Sequence, residues 1–133
     1  MISKFYSFNK RSFDIVVSLL LIVLASPIVS VFILINLIIL RSNPFFIQNR
    51  AGFKGEPFKL FKVKTMLDND NPVYEKRIYR YAKILRRYKI DEFPQLINVV
   101  IGNMSLVGPR PLLLEYNKIY NPYEIKRLSV IPG

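Results

Sequence analysis

Cysteine and histidine are both missing from this sequence, and so is tryptophan. Without cysteine there are no disulfides, no thiolate nucleophiles and no thiolate-bound metals. Without histidine there is no Ser-His-Asp or Cys-His machinery, no imidazole base and no zinc site of the usual ligand sets. Acidic residues are also scarce, with 9 Asp and Glu against 20 Lys and Arg, for a net charge of +11 in 133 residues. Any chemistry must therefore rest on a few carboxylates, on lysine and arginine, or on hydroxyl groups.

Charge is itself absent from one long stretch. Ile15 to Leu40 is 26 positions without an ionisable residue, which as helix would extend ~39 Å against a hydrocarbon layer of about 30 Å. The run is too long for a signal-peptide core, and no small-residue cleavage pattern follows it. Ser26-Pro27 interrupts it midway, where proline removes a helix hydrogen bond, and both flanks are basic: Lys10 and Arg11 before, Arg41 after. Positive charge is retained on the cytoplasmic side, so two basic flanks suit a re-entrant hairpin of two half-helices, while a kinked transmembrane helix remains the alternative. Asp14, at the threshold of the run, is placed to pair with Arg11 and set the insertion depth.

The division that follows is a membrane-inserted segment, residues 1–41, and a small basic domain, residues 42–133. The second part carries 16 Lys or Arg and 8 Asp or Glu. Such a surface suits phosphate-bearing partners, whether nucleic acid, anionic lipid or nucleotide-linked metabolites. Beside a membrane segment the lipid surface takes precedence, and no nucleic-acid partner is expected. The fold class expected is mainly α with a short β element: a re-entrant N-terminal helix hairpin and a small α/β domain carrying amphipathic interfacial helices.

Within the domain, Phe58 to Met66 reads as a short strand with Lys62 and Lys64 on one face and Lys59 on the other. Asp68 and Asp70 lack the glycine and terminal glutamate of a calcium loop. Glu75 to Tyr88 has apolar Ile78, Tyr81, Ala82, Leu85 and Tyr88 at helical spacing amid basic residues, an amphipathic helix for either the membrane surface or the domain core. A further helix is expected from Asp91 to Gly102, with Asp91 as N-cap, Pro94 in the first turn, and Leu96, Ile97, Val100 and Ile101 as its buried stripe. Capping alone accounts for the Asp91-Glu92 pair. The alternative is chemical, because a carboxylate at a helix start lies where N–H groups also attract phosphate, and carboxylates attack phosphoryl groups covalently. Arg110, between Pro109 and Pro111, is either a rigid surface turn or a pre-ordered phosphate clamp.

The segments KRSFD, the Ser26-Pro27 break, FKLFKVKTM, LRRYKIDEFPQLINVVIGNMSLVGPRPLL and the terminal VIPG together resemble the bacterial sugar transferases, the monotopic phosphoglycosyl transferases. The resemblance covers nearly the whole chain and is most specific from Leu85 to Leu113. It implies transfer of a sugar phosphate from a UDP-sugar to polyprenyl phosphate at the inner membrane, with the catalytic part facing the cytoplasm, as the first step of surface-glycan assembly. It implies Asp91 as the nucleophile of a covalent phosphosugar intermediate and Glu92, with Asp91, as the Mg²⁺ site. Lys59, Lys62, Lys64 and Arg110, with Pro109 and Pro111, would bind substrate, while Lys10, Arg11, Asp14, Ser26 and Pro27 would position the membrane segment. Membrane lipids are expected partners, and a homo-oligomer is left open. Val63 stands where an aromatic is common, and Ile131 where arginine is common. Relatives continue beyond the terminal Pro-Gly, so the alternative expectation is a truncated, catalytically incompetent fragment that binds nucleotide-sugar, anionic lipid or a partner protein.

Overall fold

In a computed structural model of the chain, which describes residues 2–40, 43–66 and 80–133, the apolar run forms one helix, α1, spanning Ile2–Leu40. It is the one described helix long and apolar enough to cross a membrane, over Phe8–Ile39. Its apolar side chains are largely exposed, including Leu24 and Ile38 at 72% and 75%.

The Ser26-Pro27 step does not divide it into two half-helices as expected. Pro27 lacks the N–H that would bond to the Val23 carbonyl four residues back. The Ser26 hydroxyl donates to that same Val23 oxygen at 2.8 Å. A polar group otherwise stranded in an apolar surrounding is thereby satisfied, and the helix runs on through the proline.

Both ends of α1 are tied to the domain. Near the start, Arg11 donates to the carbonyls of Val99 and Val100 at 2.6 and 2.8 Å. Asp14, 4% exposed, accepts from Lys10 at 3.2 Å, the Ser105 hydroxyl at 2.7 Å and the Leu106 N–H at 3.4 Å. The expected Asp14–Arg11 pair is thus replaced by Asp14–Lys10, because the Arg11 fork is engaged by the two carbonyls. Near the far end, fully buried Asn36 donates to the Lys64 carbonyl at 2.9 Å and accepts from the Tyr81 hydroxyl.

The domain opens with an antiparallel hairpin, β1 (Phe45–Ala51) and β2 (Pro57–Val63), in which Phe46 faces Lys62, Gln48 faces Leu60 and Arg50 faces Phe58. Alternation places Phe46, Gln48, Arg50 and Lys62 on one face and Lys59 on the other. Next among the described residues comes α2, Ala82–Arg87, anchored by buried Ala82 and Leu85. Ile78 and the Asp68–Asp70 segment lie outside the described residues, and Tyr88, expected in the apolar stripe, is 65% exposed.

The helix expected from Asp91 is two pieces. Ile90–Glu92 is a single 3-10 turn entered through Lys89 at φ 59°, and α3 proper runs from Gln95 to Ile101. Asp91 therefore caps nothing. Gly102, at φ 100°, ends α3 in the left-handed conformation that glycine adopts without penalty. The buried stripe is also shifted: Asn98 and Val99 are inside, while Ile97 and Ile101 are 47% and 58% exposed. Starting at Gln95 turns Val99 into the small core of Phe58, Leu60 and Met104, and leaves Ile97 beside α1.

The chain ends in two 3-10 segments, Leu114–Lys118 and Glu124–Ser129, and returns to the 105–109 turn. Ser105 N–H donates to the Pro132 carbonyl at 2.8 Å, and Gly133 N–H to that of Pro109 at 3.1 Å. A Cβ on Gly108 would lie 2.5 Å from the Ile131 oxygen, so this close passage requires glycine.

Candidate functional site

The candidate site is assembled from the hairpin, the turn before α3 and the Pro-Arg-Pro segment. Asn98 sets the first two in register. Fully buried, it donates to the Lys59 carbonyl at 2.7 Å and accepts from the Phe61 N–H at 3.2 Å, fastening α3 to the middle of β2. Asp91 and Glu92, just before α3, are thereby carried to the end of β2 where Lys62 emerges.

Lys62 Nζ lies 3.0 Å from Glu92 Oε1, and Arg110 Nη2 lies 3.6 Å from the same oxygen. The two carboxylates of the pair meet different environments. Asp91 is 8% exposed, and one of its oxygens, Oδ1, is buried without a hydrogen-bond partner. Burial, followed by the adjacent negative charge of Glu92, pushes the Asp91 carboxyl pKa up. Burial acts on Glu92 in the same sense, but the hydrogen bond and charge of Lys62, with the charges of Lys89 and Arg110, outweigh it and hold the Glu92 pKa down. Neighbouring carboxylates driven in opposite directions have different roles available: one is an anchor whose ionised form is favoured, the other a carboxylate whose charge is poorly compensated.

Of the cavities that adjoin the pair, two are rich in cations. The first, about 280 Å³, is lined by Asp91 together with Phe46, Gln48, Arg50, Lys62, Lys64 and Arg86. The second, about 210 Å³, is lined by Glu92, Gln95, Arg110 and Pro111, again with Arg50 and Lys62. Only the tertiary arrangement brings so many cations to so few carboxylates, and such a concave basic site is suited to a multiply charged phosphate.

Of the residues expected to bind substrate, Lys62, Lys64, Arg110 and Pro111 line these cavities, whereas Lys59 is exposed on the far face and lines neither. Pro109 lines a small separate crevice beside Arg127. Lys10, Arg11 and Asp14 join α1 to the end of α3 and to the 105–106 turn, and line neither cavity. Ser26 lies in mid-helix and lines an apolar groove of about 180 Å³ with Phe45, Phe93, Pro94 and Ile97. Sequence reasoning missed Arg50, which the structure places in β1, and the two buried asparagines, Asn36 and Asn98. A lone asparagine within each apolar stretch was the available signal.

Among the described residues no cluster of three or more Asp or Glu could by itself enclose a metal ion. Asp91 and Glu92 nevertheless fit a magnesium ion, which is commonly held by one or two carboxylates with substrate phosphates and water completing the shell. The unpartnered Asp91 oxygen is a free ligand atom of the required kind.

Comparison with known proteins is consistent along the chain. The profile of the bacterial sugar transferases matches residues 5–133. The chain is 38% identical over 129 residues to a sugar transferase, EpsL, of Bacillus subtilis, covering 93% of this chain and 64% of that protein. It is 38% identical over 121 residues to the UDP-glucose:undecaprenyl-phosphate glucose-1-phosphate transferase of Escherichia coli, covering 84% of this chain and 25% of the relative. Identity to the UDP-N-acetylgalactosamine-undecaprenyl-phosphate N-acetylgalactosaminephosphotransferase of Aeromonas hydrophila is 34% over 141 residues, covering 98% of this chain and 33% of that protein. The chain thus spans less than two thirds of each of these relatives.

Proposed function

The chain belongs to the bacterial sugar transferase family, and from that premise we propose that it moves a sugar phosphate from a UDP-sugar to undecaprenyl phosphate at the inner membrane, on the cytoplasmic face. The observation that carries this reading is the buried Asp91, with its unpartnered oxygen, on the wall of a cavity lined by Arg50, Lys62 and Lys64. A nucleophile placed among cations meets an anionic target whose charge the same cations neutralise.

In the first step an Asp91 oxygen attacks the sugar-linked phosphorus, and the bond from that phosphorus to the bridging oxygen breaks. UMP departs with the bonding electrons, and the sugar phosphate remains as an acyl phosphate on Asp91. In the second step an oxygen of undecaprenyl phosphate attacks the same phosphorus and displaces the Asp91 carboxylate, yielding the lipid-linked diphosphate sugar. No proton transfer is needed in either step, which agrees with a site devoid of imidazole and thiol groups. Asp91 and Glu92 would hold Mg²⁺, which when bound neutralises the charge of the donor diphosphate. Lys62 and Arg110 keep Glu92 ionised and in place.

The placement of α1 supports a topology in which both of its ends lie on one face of the membrane. Arg11 and Asn36 are 25 positions apart, ~37 Å of straight helix, and both bond to the same basic domain. A perpendicular crossing would draw that domain, with its 16 basic residues, into hydrocarbon. With both ends on one face, the donor site stays at the surface where a lipid phosphate arrives.

Two measurements test these readings. The full chain in detergent, supplied with undecaprenyl phosphate and a panel of UDP-sugars, is expected to release UMP with at least one of them; silence across the panel would remove the transfer reading and leave a binding fragment. Because the chain has no native cysteine, Phe8→Cys and Asn43→Cys can be labelled selectively in oriented vesicles. Both are expected to react from the same side, and reaction from opposite sides would contradict the one-sided arrangement.

A further inference from the structure

Arg50 lines both cavities of the site, as does Lys62, so the pair forms the partition between the Asp91 side and the Glu92 side. Its Nη2 donates to Gln48 Oε1 at 2.6 Å, but its Nε is buried with no hydrogen-bond partner. Among the described residues no carboxylate lies within ion-pair distance of Arg50. The charge it does feel is that of Arg110, a second guanidinium on the same cavity. Glu92 offsets Arg110, but nothing comparable offsets Arg50.

Two guanidinium groups facing one half-enclosed space, one of them with an unsatisfied buried donor, form an arrangement that an anion relieves. The geometry of in-line displacement says which anion. The attacked phosphorus must lie over Asp91 in the first cavity, so the leaving oxygen points away from Asp91, across the partition. Negative charge accumulates on that oxygen as the bond breaks, and fixed donors aimed at it stabilise the transition state.

Resting on the transfer reading, we infer that the second cavity, bounded by Arg50, Glu92, Gln95 and Arg110, receives the phosphate of the departing nucleoside monophosphate, and that Arg50 grips it. The donor diphosphate straddles the partition, with its sugar-linked phosphate beside Asp91 and its nucleoside-linked phosphate between the two arginines. Arg50 thus joins Lys62 and Arg110 as a group that touches substrate, and its largest contribution falls on the leaving group.

The test is UMP binding by titration calorimetry on the full chain in detergent, with uridine as the phosphate-free comparison. Arg50→Gln is expected to weaken UMP about 10- to 100-fold, the usual worth of a hydrogen bond to a charged group, and to leave uridine affinity unchanged. Arg50→Lys, which keeps the charge but loses the fork, falls between the two. Lys83→Gln removes the same charge from an exposed position on α2 and is expected to stay within about twofold of the parent in a titration at fixed salt. Unchanged UMP affinity in Arg50→Gln, or an equal loss for UMP and uridine, overturns the inference. Should Arg50→Gln not fold, parental UMP affinity in Arg50→Lys overturns it. UMP binding that depends on Arg50, in a chain that turns over no UDP-sugar, upholds the phosphate site while removing the transfer reading. Turnover with Arg50-independent UMP binding does the reverse.

Discussion

Asp91→Asn is expected to abolish UMP release while making the protein more resistant to unfolding. Loss of a covalent nucleophile costs at least about 10³-fold in rate, since the neighbouring carboxylate, Glu92, is held by Lys62 and Arg110. Stability moves the other way because burial and Glu92 both disfavour the charged form of Asp91. A carboxyl whose pKa is raised in the folded state contributes stability that is full below its unfolded pKa and is lost as pH rises through the folded value. At neutral pH the ionised Asp91 is therefore a destabilising group, and the neutral amide removes that penalty. Thermal unfolding and UMP release on the same samples check the pair of outcomes. UMP release at the parental rate would eliminate Asp91 as nucleophile.

The same electrostatics set the acid limb of activity. Asp91 attacks only as carboxylate, so the rate falls as pH drops through its raised pKa, whereas Glu92, held low chiefly by Lys62, stays ionised over that window. In Glu92→Gln the residual rate is expected to be severely reduced, with its acid limb displaced to lower pH because one cause of the Asp91 shift has gone. A limb that stays in place would assign it to another group.

The second large effect is structural. Asn98→Leu preserves volume but strands two groups, the Phe61 N–H and the Lys59 carbonyl, that Asn98 alone joins to α3. Leaving two buried backbone groups unsatisfied costs about 2–6 kcal/mol at 1–3 kcal/mol each. Small domains have total stabilities of about 5–15 kcal/mol, so the loss is a large share. Chemical denaturation is expected to show a markedly lower midpoint. Whatever folded fraction remains should also lose UMP release, because the turn bearing Asp91 and Glu92 is no longer registered against Lys62. An unfolding free energy within about 0.5 kcal/mol of the parent, the range of an ordinary surface substitution, would show that Asn98 is not the fastener.

Much of this molecule was readable before its fold was known. The uncharged run predicted a long apolar helix, which α1 is, and period-two alternation separated Lys59 from Lys62. The family resemblance from Leu85 to Leu113 singled out Asp91, Glu92 and Arg110, and the structure places Arg110 3.6 Å from Glu92. What misled was local reasoning at boundaries. Proline predicted a break at Ser26-Pro27, yet the Ser26 hydroxyl takes over the orphaned carbonyl. Aspartate before an apolar stretch predicted an N-cap, yet Lys89 in the left-handed region and a 3-10 turn displace the helix start to Gln95.

Sequence alone determined the ingredients: a long apolar helix, a basic domain, one pair of adjacent carboxylates and no imidazole or thiol to assist them. These follow from composition and from the short-range periods of helix and strand. The tertiary structure decided which cation meets which carboxylate. Lys62 and Glu92 are 30 positions apart in sequence, and Arg50 and Arg110 are 60 apart, yet all four line one cavity. That convergence depends on buried, saturable hydrogen bonds such as those of Asn98, whose side-chain partners are backbone groups and therefore leave no residue-type signature in the sequence.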